Sequence, residues 1–151
     1  MTPTLEAVEA KQAEIVAMID AIRNAAAREY KIAGGTIQLN PGEHWAGLIR
    51  GKDGQPDHHL ILLPGDADEL NWEDAKKWAA EQGGELPTRR EQSLLYANLK
   101  EEFQGTWYWS GEAHERESGW AWYQTFGTGL QYDTRQDLEL RARAVRRLIL
   151  Q

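Results

Sequence analysis

Trp107-Tyr108-Trp109-Ser110 and Trp120-Ala121-Trp122-Tyr123-Gln124-Thr125-Phe126, followed after Gly127-Thr128-Gly129 by Leu130-Gln131-Tyr132-Asp133, decide the fold. Residues 107 to 132 hold eight of the fourteen aromatic side chains of the chain. Aromatic enrichment with period-two alternation predicts strands, and the Gly-Thr-Gly segment predicts the turn of a hairpin. Faces alternate along a strand. Trp122, Gln124 and Phe126 share one side and are assigned to the core, where Gln124 needs internal hydrogen bonds. Tyr123 and Thr125 are left to face solvent or a ligand. Trp107 and Trp109 are assigned to the core with Tyr108 at the rim. Past the turn, Leu130, Tyr132 and Thr134 form an exposed face. Tyr and Trp give large contact area at low conformational entropy, and with Arg they are common interface anchors. The expected contact set is therefore Tyr108, Glu112, His114, Trp120, Tyr123, Thr125, Tyr132 and Arg135.

Upstream of this block the sequence predicts two helices. Asn71 caps the first, with Asp74 three residues on, and Trp72, Ala75, Trp78 and Ala79 form its inner stripe. Gly83-Gly84 ends it. Thr88 caps the second, with Glu91 completing a capping box. Before them, His44–Ile49 and His59–Leu63 flank the turn-rich segment 51–57 as a hairpin, and Thr36-Ile37-Gln38-Leu39 alternates as a strand. Residues 5 to 32 read as one long helix ended by Gly34-Gly35. Leu5, Val8, Gln12, Ile15, Ile19, Ile22 and Ala26 recur at alternating steps of three and four. That stripe either packs on its own domain or zips with copies of itself, and Ile at both seam positions then favours a trimer through residues 5–30. Downstream, Leu140 to Leu148 reads as one final strand. Its arginines, Arg141, Arg143 and Arg147, either pair with acids of the middle segment or form a small anion or nucleotide site with Leu86-Pro87-Thr88-Arg89-Arg90 at a helix start.

The order of terminal strand, hairpin, two helices and returning strands resembles the C-type-lectin-like fold. Leu86-Pro87-Thr88-Arg89, Trp107-Tyr108-Trp109-Ser110, Ala121-Trp122-Tyr123-Gln124-Thr125-Phe126 and Arg143-Ala144-Val145-Arg146 look like a phage and bacterial domain-of-unknown-function family of that fold, over roughly residues 36 to 148. The resemblance implies an α+β chain, with an N-terminal helix over 1–33 and a C-type-lectin-like domain over 34–151. That family is also similar to the variable proteins of diversity-generating retroelements, which bind targets through their last strands and loops, and to formylglycine-generating enzymes. The latter use cysteines, and this chain has none, so their chemistry does not carry over. The lectin calcium triplet does not carry over either. Gln55-Pro56-Asp57 lies in the first hairpin with no Trp-Asn-Asp behind it, and reads as a turn.

The 151 residues carry a net charge of −7. Residues 1–33 contribute −1, residues 34–133 contribute −9, and residues 134–151 contribute +3. The overall sign argues against nonspecific nucleic-acid binding. The absence of Cys excludes disulfides and thiolate metal sites. His58 and His59 are neighbours that point to opposite faces of a strand, so no metal site is expected, and no cofactor. No hydrolase elbow, phosphate-binding Gly loop or zinc-protease helix is present. The expectation is a noncatalytic domain that binds a protein or small-molecule ligand through the aromatic hairpin, phage- or prophage-encoded, calcium-independent, and acting in the bacterial cytoplasm or in the virion. The alternative is an intracellular phage inhibitor that binds a host defence factor or a nucleotide signal. No signal peptide, membrane segment or membrane partner is expected.

Overall fold

The computed structural model describes residues 4–25, 28–32 and 35–149. The chain is mixed α+β and divides into two compact units, Met1–Gly42 and Glu43–Gln151.

The first unit holds helix α1 (Leu5–Ala25) and a hairpin of β1 (Arg28–Ile32) and β2 (Gly35–Leu39). Thr4 caps α1, its hydroxyl accepting from the Ala7 N–H at 3.1 Å. The helix is shorter than the heptad spacing predicts. Glu29-Tyr30-Lys31-Ile32 alternates polar with apolar, and the Arg28–Ile32 backbone spends its hydrogen bonds on β2, with Ile32 opposite Gly35. Ala26 and Gly34, which the sequence reading also used, lie outside the described residues. Leu5, Val8, Ile15, Ile19 and Ile22 of the α1 seam are all exposed, as are Val16 and Met18.

The second unit is built on two sheets. Strands β3 (His44–Ile49) and β4 (His58–Leu62) form the expected hairpin, with a bulge between Trp45 and Gly47. Strand β10 (Val145–Ile149) returns to the other side of β4, giving the order β10-β4-β3. As the middle strand, β4 buries Leu60, Ile61 and Leu62 completely. The larger sheet contains β5 (Ala67–Leu70), β6 (Trp107–Ala113), β7 (Trp120–Thr125), β8 (Gln131–Arg135) and β9 (Leu140–Ala142) in the order β5-β9-β6-β7-β8. Residues 140–149 therefore form two strands in two sheets, not one. The switch falls at Arg143-Ala144, where the buried Arg143 guanidinium donates to the carbonyls of Leu63 and Glu102.

Helix α2 (Trp72–Glu81) and helix α3 (Arg89–Leu99) lie between β5 and β6, two strands of the larger sheet. Both caps are as the sequence predicts. Asn71 Oδ1 accepts from Asp74 N at 2.9 Å, and the Thr88–Glu91 capping box is complete. Trp72, Ala75 and Ala79 of α2 share one core with Trp109, Ala121 and Tyr123. Leu95 of α3 shares the other with Tyr108, Phe126, Leu60 and Val145. The successive residues Tyr108 and Trp109 point to opposite faces of β6 and are both buried, so this strand has an apolar core on each side.

Gly84 sits where the chain leaves α2 beside β10. A Cβ there would lie 2.2 Å from the Val145 carbonyl oxygen, next to the backbone bridge between Glu85 and Val145. Gly84→Ala is expected to lower stability by about 1–3 kcal/mol, the usual cost of forcing an extra group into a packed site, as measured by urea denaturation.

Candidate functional site

A cleft of about 730 Å³ opens where the start of α3, the β3–β4 loop and the end of β10 come together. That volume is typical of a small-ligand site. Ile49, Pro56 and Ile149 supply apolar wall, and Arg50, Lys52, Arg89, Arg90 and Arg147 supply cations. Two carboxylates, Glu91 and Glu112, also line it.

The base of the cleft is an ionic cluster. Glu91 is 1% exposed. Arg147 grips its carboxylate with Nε and Nη2, both at 2.8 Å. His58 Nε2 lies 2.7 Å from Oε2, and the Thr88 N–H donates to Oε1 at 2.8 Å. Burial by itself would raise the Glu91 carboxyl. The Arg147 fork, the Thr88 N–H and His58 outweigh it and hold Glu91 below the usual carboxylate range. The same hydrogen bonds raise Arg147 above the ordinary arginine value.

The upper part of the cleft differs. Arg50, Lys52, Arg89 and Arg90 form no ion pair among the described residues. Neutral groups hold two of them in place. Arg90 Nη2 donates to the Arg50 carbonyl at 2.9 Å. Arg89 stacks on Trp122, 3.6 Å from the ring centroid, and its Nε donates to Gln131 Oε1 at 3.0 Å. Gln131 in turn donates to Gln124, Gln124 to the Gln92 carbonyl, and Gln92 to the Tyr108 carbonyl. Three glutamines thus carry the position of Arg89 into the core. The loop bearing Lys52 is closed by Asp57 Oδ1, which accepts from Gly51 N at 2.7 Å.

Of the expected contact residues, only Glu112 lines this cleft; its Oε2 accepts from the Arg89 N–H at 2.6 Å. Tyr108 is corrected from rim to core. It is 1% exposed, its hydroxyl donates to Asp66 at 2.6 Å, and burial followed by that carboxylate pushes its pKa up to about 12. Tyr123 is corrected as well. At 6% exposure it is covered by Trp107, whose ring stacks on it at 4.6 Å, and it leans on Tyr132 at 6.2 Å. Trp107, assigned to the core, is instead 46% exposed. Tyr132 is exposed as expected, with Leu130 beside it. Thr125 is half-buried on the same hairpin. His114 is half-buried, stacks on Trp122, and accepts the N–H groups of Arg116 and Glu117. Trp120 is half-buried opposite Arg135, and the exposed Arg135 pairs with Asp137.

The arginines of the last strands separate. Arg141 pairs with Asp66 and Asp68, while Arg147 joins the start of α3. Nothing in the local sequence marks Arg50, Lys52 or Gln131 as site residues, and His58, weighed above only as a metal ligand, serves instead as a partner of Glu91. The available signal was the Arg89-Arg90 doublet just after a helix cap in an acid-rich chain. Among the described residues no group of three or more His, Asp or Glu side chains could hold a metal ion, and no helix is long and apolar enough to cross a membrane. No protein-family model and no curated protein matches this chain.

Glu91 has a lower pKa folded than its unfolded value near 4.3. Its ion pair therefore contributes stability that is full above that pH and is lost as pH falls through the folded value. Arg147→Met is expected to cost about 3 kcal/mol at pH 7, the low end for breaking a buried pair because Arg147 is partly exposed. In thermal melts, that loss should shrink as pH falls from the unfolded value through the lowered value of the folded Glu91, where the carboxyl takes up a proton.

Proposed function

We propose that the chain is a noncatalytic recognition domain of C-type-lectin-like fold that holds a small anionic ligand in the cleft at the start of α3. The observation that carries this is the meeting of Arg50, Lys52, Arg89 and Arg90 around one opening without an ion-pair partner among the described residues. Across the chain Asp and Glu outnumber Lys and Arg, 24 against 17, so chance neighbours would tend to neutralise these four cations. Element order supports the fold: two helices follow the first hairpin, and the last strand returns to pair with β4. The hydrogen bonding supports binding over turnover. His58 Nε2 is spent on Glu91, and Ser93 Oγ donates to the Arg89 carbonyl. A protein that holds an anion without transforming it acts by sensing or by sequestration.

A second surface, the exposed trio of Trp107, Leu130 and Tyr132, favours contact with a protein partner. Amide chemical shifts distinguish the two. With a panel of carboxylates, sulfate and phosphate esters, shifts should concentrate on Gly51, Arg89, Arg90 and Glu112. Shifts confined to Trp107, Leu130 and Tyr132, or none, would reject the cleft as the anion site.

The exposed apolar seam of α1 supports self-association through that helix. Sedimentation equilibrium of the full chain should give a mass above one protomer, and Ile15→Lys with Ile22→Lys should return it to one. A monomeric parent chain would end this part of the proposal.

A further inference from the structure

We infer that the ligand of this cleft carries a phosphoryl group, with Glu112 as the resident charge that tunes how tightly it is held. This rests on the anion reading above and narrows it. The charge balance leads there. Arg147 is spent on Glu91, and on Glu85 beyond the cleft, which leaves Arg50, Lys52, Arg89 and Arg90 against Glu112, an excess of three positive charges among the lining residues. A monocarboxylate cancels one of these. A phosphate monoester brings about −1.5 to −2 charges at pH 7 and three acceptor oxygens.

The donors also suit a phosphoryl group. Guanidinium groups offer planar pairs of N–H bonds that match phosphate oxygens, and an ammonium adds a point charge. Arg89 is positioned by uncharged partners, Trp122 and Gln131, which fix its direction; it makes no direct ion pair among the described residues, although the Glu115 carboxylate acts on it from across Trp122. The first N–H of α3 is already taken, because Glu112 accepts it. That carboxylate is held by a backbone N–H but by no cation among the described residues, and its negative charge repels an incoming anion. Ile49, Pro56 and Ile149 give the organic part of the ligand an apolar wall.

Titration calorimetry of the full chain with phenyl phosphate, benzoate and phthalate tests this, since the three share a ring and differ in the anionic group. Phenyl phosphate is expected to bind about tenfold or more tighter than benzoate, consistent with added charge-assisted bonds. Arg90→Gln and Lys52→Gln should each weaken it several-fold. Glu112→Gln should tighten it, an effect that loss of a purely structural contact would not produce. Melting temperatures of each variant establish that it is folded. Adenosine monophosphate and glucose 6-phosphate as further arms distinguish a nucleotide from a sugar phosphate source. If phthalate binds as tightly as phenyl phosphate, or Glu112→Gln weakens binding in a folded protein, the phosphoryl inference falls and the anion reading stands. If no anion binds the folded parent chain, both fall.

Discussion

The Glu91 carboxylate is the junction on which the second unit turns. It caps α3 from within through Thr88, takes the Arg147 fork from β10, and meets His58 of β4. One buried charge thus binds a helix start to two strands of the smaller sheet. Such a charge is costly to bury and must be satisfied by several partners at once, which leaves little freedom in how those elements meet. The cleft stands above this junction, and its walls inherit that geometry.

The remaining polar groups near the cleft follow a division of labour. Where charges are paired, as in Arg147 with Glu91, Arg146 with Glu43 and Arg141 with Asp66, the pairs tie distant segments together. Where cations line the opening, neutral groups position two of them, Arg89 and Arg90. The Gln131–Gln124–Gln92 chain passes from the surface to the buried Tyr108 carbonyl, so the direction of Arg89 is set by the core of the domain. A site arranged this way keeps its charge available while restricting its side-chain motion, which reduces the entropic cost of binding.

Local signals were legible wherever the deciding interaction is local. The Asn71 and Thr88 caps, the β3–β4 hairpin, the 127–129 turn and the need of Gln124 for internal partners all depend on residues a few positions apart or on strand alternation. Tyr108, Tyr123 and Trp107 were misassigned because alternation distinguishes two faces of a strand but does not say which is covered. Over Tyr108 to Ser110 both faces of β6 are covered, one core including α2 and the other α3, whereas Trp107 at the end of the strand lies beyond that cover. Alternation also failed to reveal that 140–149 changes sheets. That change depends on Arg143 finding the carbonyls of Leu63 and Glu102, far away in sequence.

By itself, the sequence determined an α+β chain with a heptad-spaced N-terminal helix, two capped helices and an aromatic set of strands, since each follows from short-range periodicity and backbone capping. Tertiary structure alone decided where the binding chemistry gathers. Arg50 and Lys52 come from a hairpin loop, Arg89 and Arg90 from a helix start, and Arg147 from the last strand. Electrostatics act through space, and only the folded backbone brings those five cations to one opening.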